Sequence, residues 1–79
     1  MMHELKIWPE NYAAVASGTK RYEVRKADRP FKAGDHVELR EWDPDYLEYT
    51  GRSMTFRITH VTEPGEWGLP EDLCVFGIQ

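Results

Sequence analysis

Three charged residues at fixed spacing are the part of this 79-residue chain best suited to chemistry. The segment Gly18–Arg25 reads G-x-K-x-x-E-x-R, with Lys20, Glu23 and Arg25 at its charged positions. The glycine supplies a backbone turn that other residues resist. Lys and Arg bind phosphates and base edges, while Glu accepts hydrogen bonds. We therefore expect these three side chains to contact whatever ligand the protein recognises.

The same segment also permits a catalytic interpretation. In a closed cleft, Lys20 and Glu23 would provide a base and an acid, because burial makes it easier for a lysine to lose its proton. A purely structural interpretation is an ion pair between Glu23 and Arg25, which lie two residues apart on one strand. No nucleophile is evident, and the candidates by position alone are Ser17, Thr19 and Thr50.

Aromatic and further basic residues extend the candidate binding surface. Trp and Tyr rings offer faces on which an unpaired base stacks, at ~1–3 kcal/mol per base, although small domains also use such rings for packing. The basic segment 20–32 fits either a phosphate track or a solvated face. The additional ligand-binding residues that we predict are Trp8, Arg40, Trp42, Tyr49 and Arg52.

Hydrophobic periodicity predicts the elements that position these residues. A short strand over 5–8 ends at Pro9, and a helix over 10–17 stops at Gly18. Further strands are predicted over 21–26, 36–42, 53–62 and 73–78, with loops at 43–51 and 63–72.

The strand over 21–26 carries the charged segment, and its alternation separates two faces. Tyr22 and Val24 are expected to face the core, with Glu23 and Arg25 together on the opposite face. Five strands and one early helix predict a mainly β, α+β domain. We expect a small, partly closed barrel or strongly bent sheet, with the helix covering an open end.

The length and composition limit the classes of protein to which this chain can belong. Residues 1–79 form a single domain, and 41% hydrophobic with 30% charged residues is typical of a chain that folds without a cofactor. A net charge of −4 argues against a general nucleic-acid coat protein. Residues 41–50 hold acidic but no basic side chains. A protein-interaction module that docks an unknown partner through this acidic segment is therefore one alternative.

The single cysteine and the three histidines bear on the cellular compartment and on metal binding. Cys74 is the single cysteine and lies in an apolar run, which favours a buried thiol in a reducing compartment. No apolar run approaches the ~20 residues that span a membrane, and the first residues lack the apolar core of a signal peptide. We expect a cytoplasmic protein with no membrane partner. The spacing of His3, His36 and His60 forms no metal signature.

Several ordered motifs resemble one family. Gly18–Arg25 followed by Phe31–Asp35 resembles the motif of the ASCH domain, a branch of the PUA-like superfamily. A short, uncharacterised bacterial and phage subfamily is similar over nearly the whole chain, through the segments His3–Pro9, Leu39–Asp43, Tyr49–Arg52 and Val75–Ile78.

The resemblance implies a PUA-like β-barrel of about five strands, with a cleft between the barrel and the early helix that the motif residues line. It further implies binding of RNA or a nucleotide-like small molecule. Some small ASCH proteins are amidohydrolases that remove acyl groups from modified cytidine, using a motif lysine and a threonine. Lys20 matches that lysine, but Glu23 stands where those enzymes have the threonine. This departure favours binding, with an amidohydrolase on modified nucleosides as the alternative.

Overall fold

One five-stranded sheet and one α-helix account for most of the chain, and the computed structural model describes all of residues 1–79. The elements are β1 (Met2–Ile7), α1 (Pro9–Ala16), β2 (Tyr22–Lys26), β3 (His36–Asp43), β4 (Glu48–Thr62) and β5 (Leu73–Ile78), with a short 3₁₀ turn at Glu66–Gly68. The strand order is β1-β3-β4-β5-β2. β1 runs parallel to β3 and the other pairs are antiparallel. The predicted mainly β domain with one early helix is confirmed.

Helix α1 begins and ends where the sequence indicates. Pro9 occupies the first turn, where its missing N–H costs nothing, and Tyr12 and Val15 form the buried face. Gly18 has φ 80° and donates its N–H to the Val15 carbonyl at 3.1 Å, which ends the helix. Lys20 then donates its backbone N–H to Ala14 at 3.0 Å. These bonds hold the start of the charged segment against the end of α1.

The longest strand, β4, connects the two halves of the sheet. Its first part pairs with β3, and from Ile58 onward it pairs with β5. Register shifts at both pairings add residues to β4, and such bulges bend a strand. The two outer strands, β1 and β2, consequently line the same cleft but share no ladder. The sheet is therefore strongly curled and is not closed into a barrel.

Eleven buried apolar side chains form one core inside the curled sheet. They are Leu5, Ile7, Tyr12, Val15, Phe31, Val37, Leu39, Ile58, Cys74, Phe76 and Ile78. Cys74 is free and buried, as predicted. The chain contains no α-helix with the length and hydropathy of a membrane span.

The predicted inner face of β2 is wrong. Tyr22 and Val24 are 49% and 47% exposed, whereas Glu23 is only 3% exposed. The cause is the register with β5, in which Glu23 lies opposite the fully buried Phe76. Residues directly opposite each other in an antiparallel pair point to the same face. The charged side of β2 therefore faces inward.

The predicted loop over 43–51 is much shorter in the structure. Asp43 Oδ1 accepts the backbone N–H groups of Asp45 at 2.9 Å and Tyr46 at 3.3 Å. Such a side-chain turn reverses the chain within a few residues, and Leu47 completes it with φ 54°. β4 can thus begin at Glu48, five residues earlier than the sequence pattern suggests.

Candidate functional site

A cleft of about 280 Å³ lies between the end of β1, helix α1 and β2. We call it the motif cleft. Its polar and aromatic lining consists of Lys6, Trp8, Asn11, Lys20, Glu23 and Arg25. The three charged motif residues and Trp8 are therefore brought together, as the sequence predicts, although they come from three separate parts of the fold.

Glu23 is the centre of the motif cleft. Its Oε1 lies 3.2 Å from Lys20 Nζ, and its Oε2 accepts a hydrogen bond from Arg25 Nε at 2.9 Å. Arg25 Nη2 lies 2.8 Å from the same Oε2. Lys20 Nζ also donates to Asn11 Oδ1 at 3.1 Å. One buried carboxylate thus fixes the positions of two cations.

The charge balance of this cluster leaves one excess positive charge, because Lys20 and Arg25 share a single carboxylate. Their side chains are 19% and 21% exposed, so both cations remain accessible from the cleft. Glu23 Oε1 accepts no hydrogen bond, since its close contact with Lys20 is an ion pair without hydrogen-bond alignment. The cluster therefore presents two positioned cationic donors and one buried acceptor with unused capacity.

Three of the other predicted binding residues form a separate group on the outer face of the sheet. Trp42 and Tyr49 are register partners with ring centroids 5.0 Å apart, edge to face. Arg40 lies 4.2 Å from the centre of the Tyr49 ring. Lys6 Nζ lies 3.9 Å from the centre of the Trp42 ring and connects this group to the motif cleft, which the group itself does not line.

Arg52 belongs to a third group of residues, which surrounds the buried carboxylate of Glu41. Arg52 Nε donates to Oε1 at 2.9 Å and Nη2 to Oε2 at 2.8 Å. Thr50 donates its hydroxyl to Oε1 at 2.7 Å. These hydrogen bonds, with Arg52 first, hold the pKa of Glu41 below its usual value, and Glu41 in turn raises the pKa of Arg52. Arg52 lies outside the motif cleft.

The candidate nucleophiles do not join the charged cluster. Thr50 is hydrogen-bonded to Glu41. Ser17 and Thr19 contact each other through their hydroxyls at 2.8 Å, beyond the end of α1. Ser17 lines a different cleft of about 360 Å³, at the end of α1 beside Phe56 and Ile78, to which Lys20 also contributes. The motif cleft itself therefore contains no hydroxyl or thiol positioned for covalent chemistry.

Sequence reasoning missed three residues. Glu41 follows Val37 and Leu39 at period two, so strict alternation would have placed it on the inner face. Lys6 carried only the weak signal of a cation on a predicted strand. Asn11 carried no signal, because its role depends on how close α1 comes to Lys20.

Comparisons with known proteins give one family match and one phage relative. A family model described as "Domain of unknown function (DUF3850)" matches residues 2–78. A protein of Escherichia phage P2, described as "Uncharacterized 12.9 kDa protein in GpA 3'region", is 39% identical over 66 residues. That match covers 84% of this chain and 59% of the phage protein. The chain thus corresponds to somewhat more than half of this relative's length.

Proposed function

Because the chain belongs to the DUF3850 family, whose description assigns no activity, we propose a function from the site itself: binding of RNA or a nucleotide-like ligand in the motif cleft. The observation that carries this proposal is the buried Glu23, which holds Lys20 and Arg25 side by side at the cleft. An ammonium and a guanidinium fixed in this way suit a phosphate group, with Arg25 able to pair through its planar fork.

Trp8 supplies the second element of the proposed site. It lines the motif cleft and is 51% exposed, so its ring has a free surface at the edge of the cleft. Stacking of an unpaired base on such a ring tolerates any base.

The resemblance to ASCH domains supports the same proposal. We propose that the curled sheet corresponds to a PUA-like barrel whose seam, between β1 and β2, is left open next to the ligand. We also propose a cytoplasmic setting, which the free thiol of Cys74 suits.

Binding measurements test this function directly. Fluorescence anisotropy of short labelled single-stranded RNA, and competition by nucleoside monophosphates, would be measured at low salt for the wild-type chain and for Lys20→Ala and Arg25→Ala. We expect both variants to lose about tenfold or more in affinity, which corresponds to ~1.4 kcal/mol. Lys32→Ala is the matched control, because Lys32 is exposed and outside the motif cleft. Absence of binding, or equal losses in all three variants, would disprove the proposal.

Hydrolysis of an acyl group on a modified nucleoside is the second candidate. It is favoured by Lys20, which is accessible from the motif cleft and is held in position by a buried carboxylate oxygen 3.2 Å away, since Lys20 matches the motif lysine of the acyl-removing ASCH proteins. Incubation with a panel of acylated cytidines and mass spectrometry would detect product. The expected control is loss of product in Glu23→Gln, and an inactive wild-type chain would eliminate this candidate.

A further inference from the structure

A second cleft, also of about 280 Å³, lies between β1 and the chain that leaves β2. It shares the lining residues Lys6 and Arg25 with the motif cleft, so the two clefts adjoin along the outer strands β1 and β2. We call the two clefts together the edge groove. It follows the chain from Glu4 in β1 to Trp8, the residue after β1, which is roughly 13 Å at ~3.3 Å per residue.

The added half of the edge groove is strongly charged. Its cations are Lys6, Arg25, Lys26 and Arg29, against the acids Glu4 and Asp28. Asp28 and Arg29 contact each other at 3.4 Å, but their side chains are 64% and 40% exposed, so water weakens this pair. A local positive excess on a chain with net charge −4 indicates a site for an anion.

The structure also divides the basic segment 20–32. Arg25, Lys26 and Arg29 line the second cleft, whereas Lys32 lines neither half of the edge groove. Arg21 lies at the cleft near the end of α1, which adjoins the motif cleft at Lys20. The edge groove therefore carries cations in both of its halves, Lys20 and Arg25 in the motif cleft and Lys26 and Arg29 in the second cleft, and a polyanion is bound by positive charge distributed in this way.

We propose that the edge groove holds the sugar–phosphate backbone of a single nucleic-acid strand. This inference rests on the proposed function and makes its ligand more specific: a strand of several nucleotides instead of a mononucleotide. One base stacks at Trp8 beside Lys20 and Arg25, and the following phosphates lie along Lys26 and Arg29. A single strand is required because a base that stacks on a side chain must be unpaired.

A length series tests the inference. Labelled oligouridylates and oligodeoxythymidylates of two, four and eight nucleotides would be titrated, together with uridine monophosphate as a competitor. We expect affinity to rise about tenfold or more between one and four nucleotides. Because the proposed contacts are to phosphates, we expect RNA and DNA strands of the same length to bind with similar affinity. A preference for RNA would indicate additional contacts to the 2′-hydroxyl.

Variants of the second cleft locate the effect. Lys26→Ala/Arg29→Ala is expected to weaken binding of the four-nucleotide strands about tenfold and to reduce the slope of log affinity against log salt by about one to two. Its affinity for uridine monophosphate should not change. Asp28→Asn should strengthen binding of the strands because it removes a negative charge from the edge groove, and Lys32→Ala should have no effect.

The two proposals fail in different ways. The edge-groove inference is wrong if affinity does not depend on strand length and Lys26→Ala/Arg29→Ala binds as tightly as the wild-type chain. The proposed function still stands in that case if Lys20→Ala loses mononucleotide binding. Absence of binding to every probe would overturn both.

Discussion

Arg25 is anchored to Glu23 through one edge of its guanidinium group. Its Nε donates to Glu23 Oε2 at 2.9 Å, and Nη2 lies 2.8 Å from the same oxygen. Because a guanidinium carries five N–H groups in a rigid plane, this contact fixes the plane and leaves the opposite edge available. Glu23 thus acts as a support for Arg25, and the ion pair and the binding site are the same structure.

The support by Glu23 makes Arg25 sensitive to replacement by lysine. Arg25→Lys keeps the positive charge but loses the planar fork, so it cannot pair with a phosphate through two parallel N–H groups while it contacts Glu23. We expect affinity for short single-stranded RNA to fall about tenfold, measured by fluorescence anisotropy. Arg57→Lys, at an exposed position on β4, is the control and should bind normally. If Arg25→Lys binds RNA as tightly as the wild-type chain, the positive charge of Arg25 and not its planar geometry is what binding requires.

The ion pair between the buried Glu41 and the exposed Arg52 predicts a loss of stability in acid. The pKa of Glu41 is lowered from 4.5, chiefly by hydrogen bonds from Arg52. A carboxyl group with a lower pKa in the folded state stabilises the fold above its unfolded-state pKa, and this stabilisation disappears as the pH falls through the folded-state value. We therefore expect the melting temperature to be constant near neutral pH and to fall below about pH 4.5.

Glu41→Gln provides the comparison for this acid transition. At pH 7 we expect it to melt roughly 5 °C or more below the wild-type chain, and the difference should shrink as the pH falls. Some acid sensitivity will persist, because Asp35, bonded to His3 at 2.9 Å, also has a lowered pKa. A constant difference between the two proteins from pH 7 to pH 3 would contradict the role assigned to Glu41.

The inverted face of β2 predicts unequal effects of two apolar truncations. Val24 is half-exposed, whereas Ile58 is fully buried in the core. Ile58→Ala should reduce the free energy of unfolding by about 2–5 kcal/mol, and Val24→Ala by less than ~1 kcal/mol. Urea denaturation followed by circular dichroism measures both. Equal losses would place Val24 in the core after all.

Burial of Cys74 predicts a thiol that reacts only after unfolding. The side chain is 2% exposed, and burial is the main cause that raises its pKa. Because the thiolate is the reactive species, we expect labelling by a thiol reagent at pH 8 to be at least tenfold slower in the native protein than in denaturant. Rapid labelling of the native protein would contradict this burial and would indicate that the core around β5 opens readily.

Local sequence patterns were sufficient to predict most of the secondary-structure elements. Alternation and turn residues located all five strands and placed the helix within one residue, because Pro9 and Gly18 restrict the backbone directly. The turn at Asp43 was missed because it depends on side-chain hydrogen bonds that composition does not distinguish from a longer loop. Period two also identified Glu23 and Arg25 as sharing a face.

The alternation of residue types did not predict correctly which face of β2 points inward. A strand with apolar and charged residues in alternation normally buries the apolar set, and β2 does the opposite because its pairing with β5 aligns Glu23 with Phe76. The sequence alone determined the residue types of the charged segment, its strand and the family likeness. Only the tertiary structure decided that Glu23 is buried between Lys20 and Arg25, that Asn11 and Lys6 join them, and that Arg40, Trp42, Tyr49 and Arg52 do not. Those contacts arise where α1 and the outer strands of the curled sheet meet, and distances between separate elements are not encoded in any local pattern.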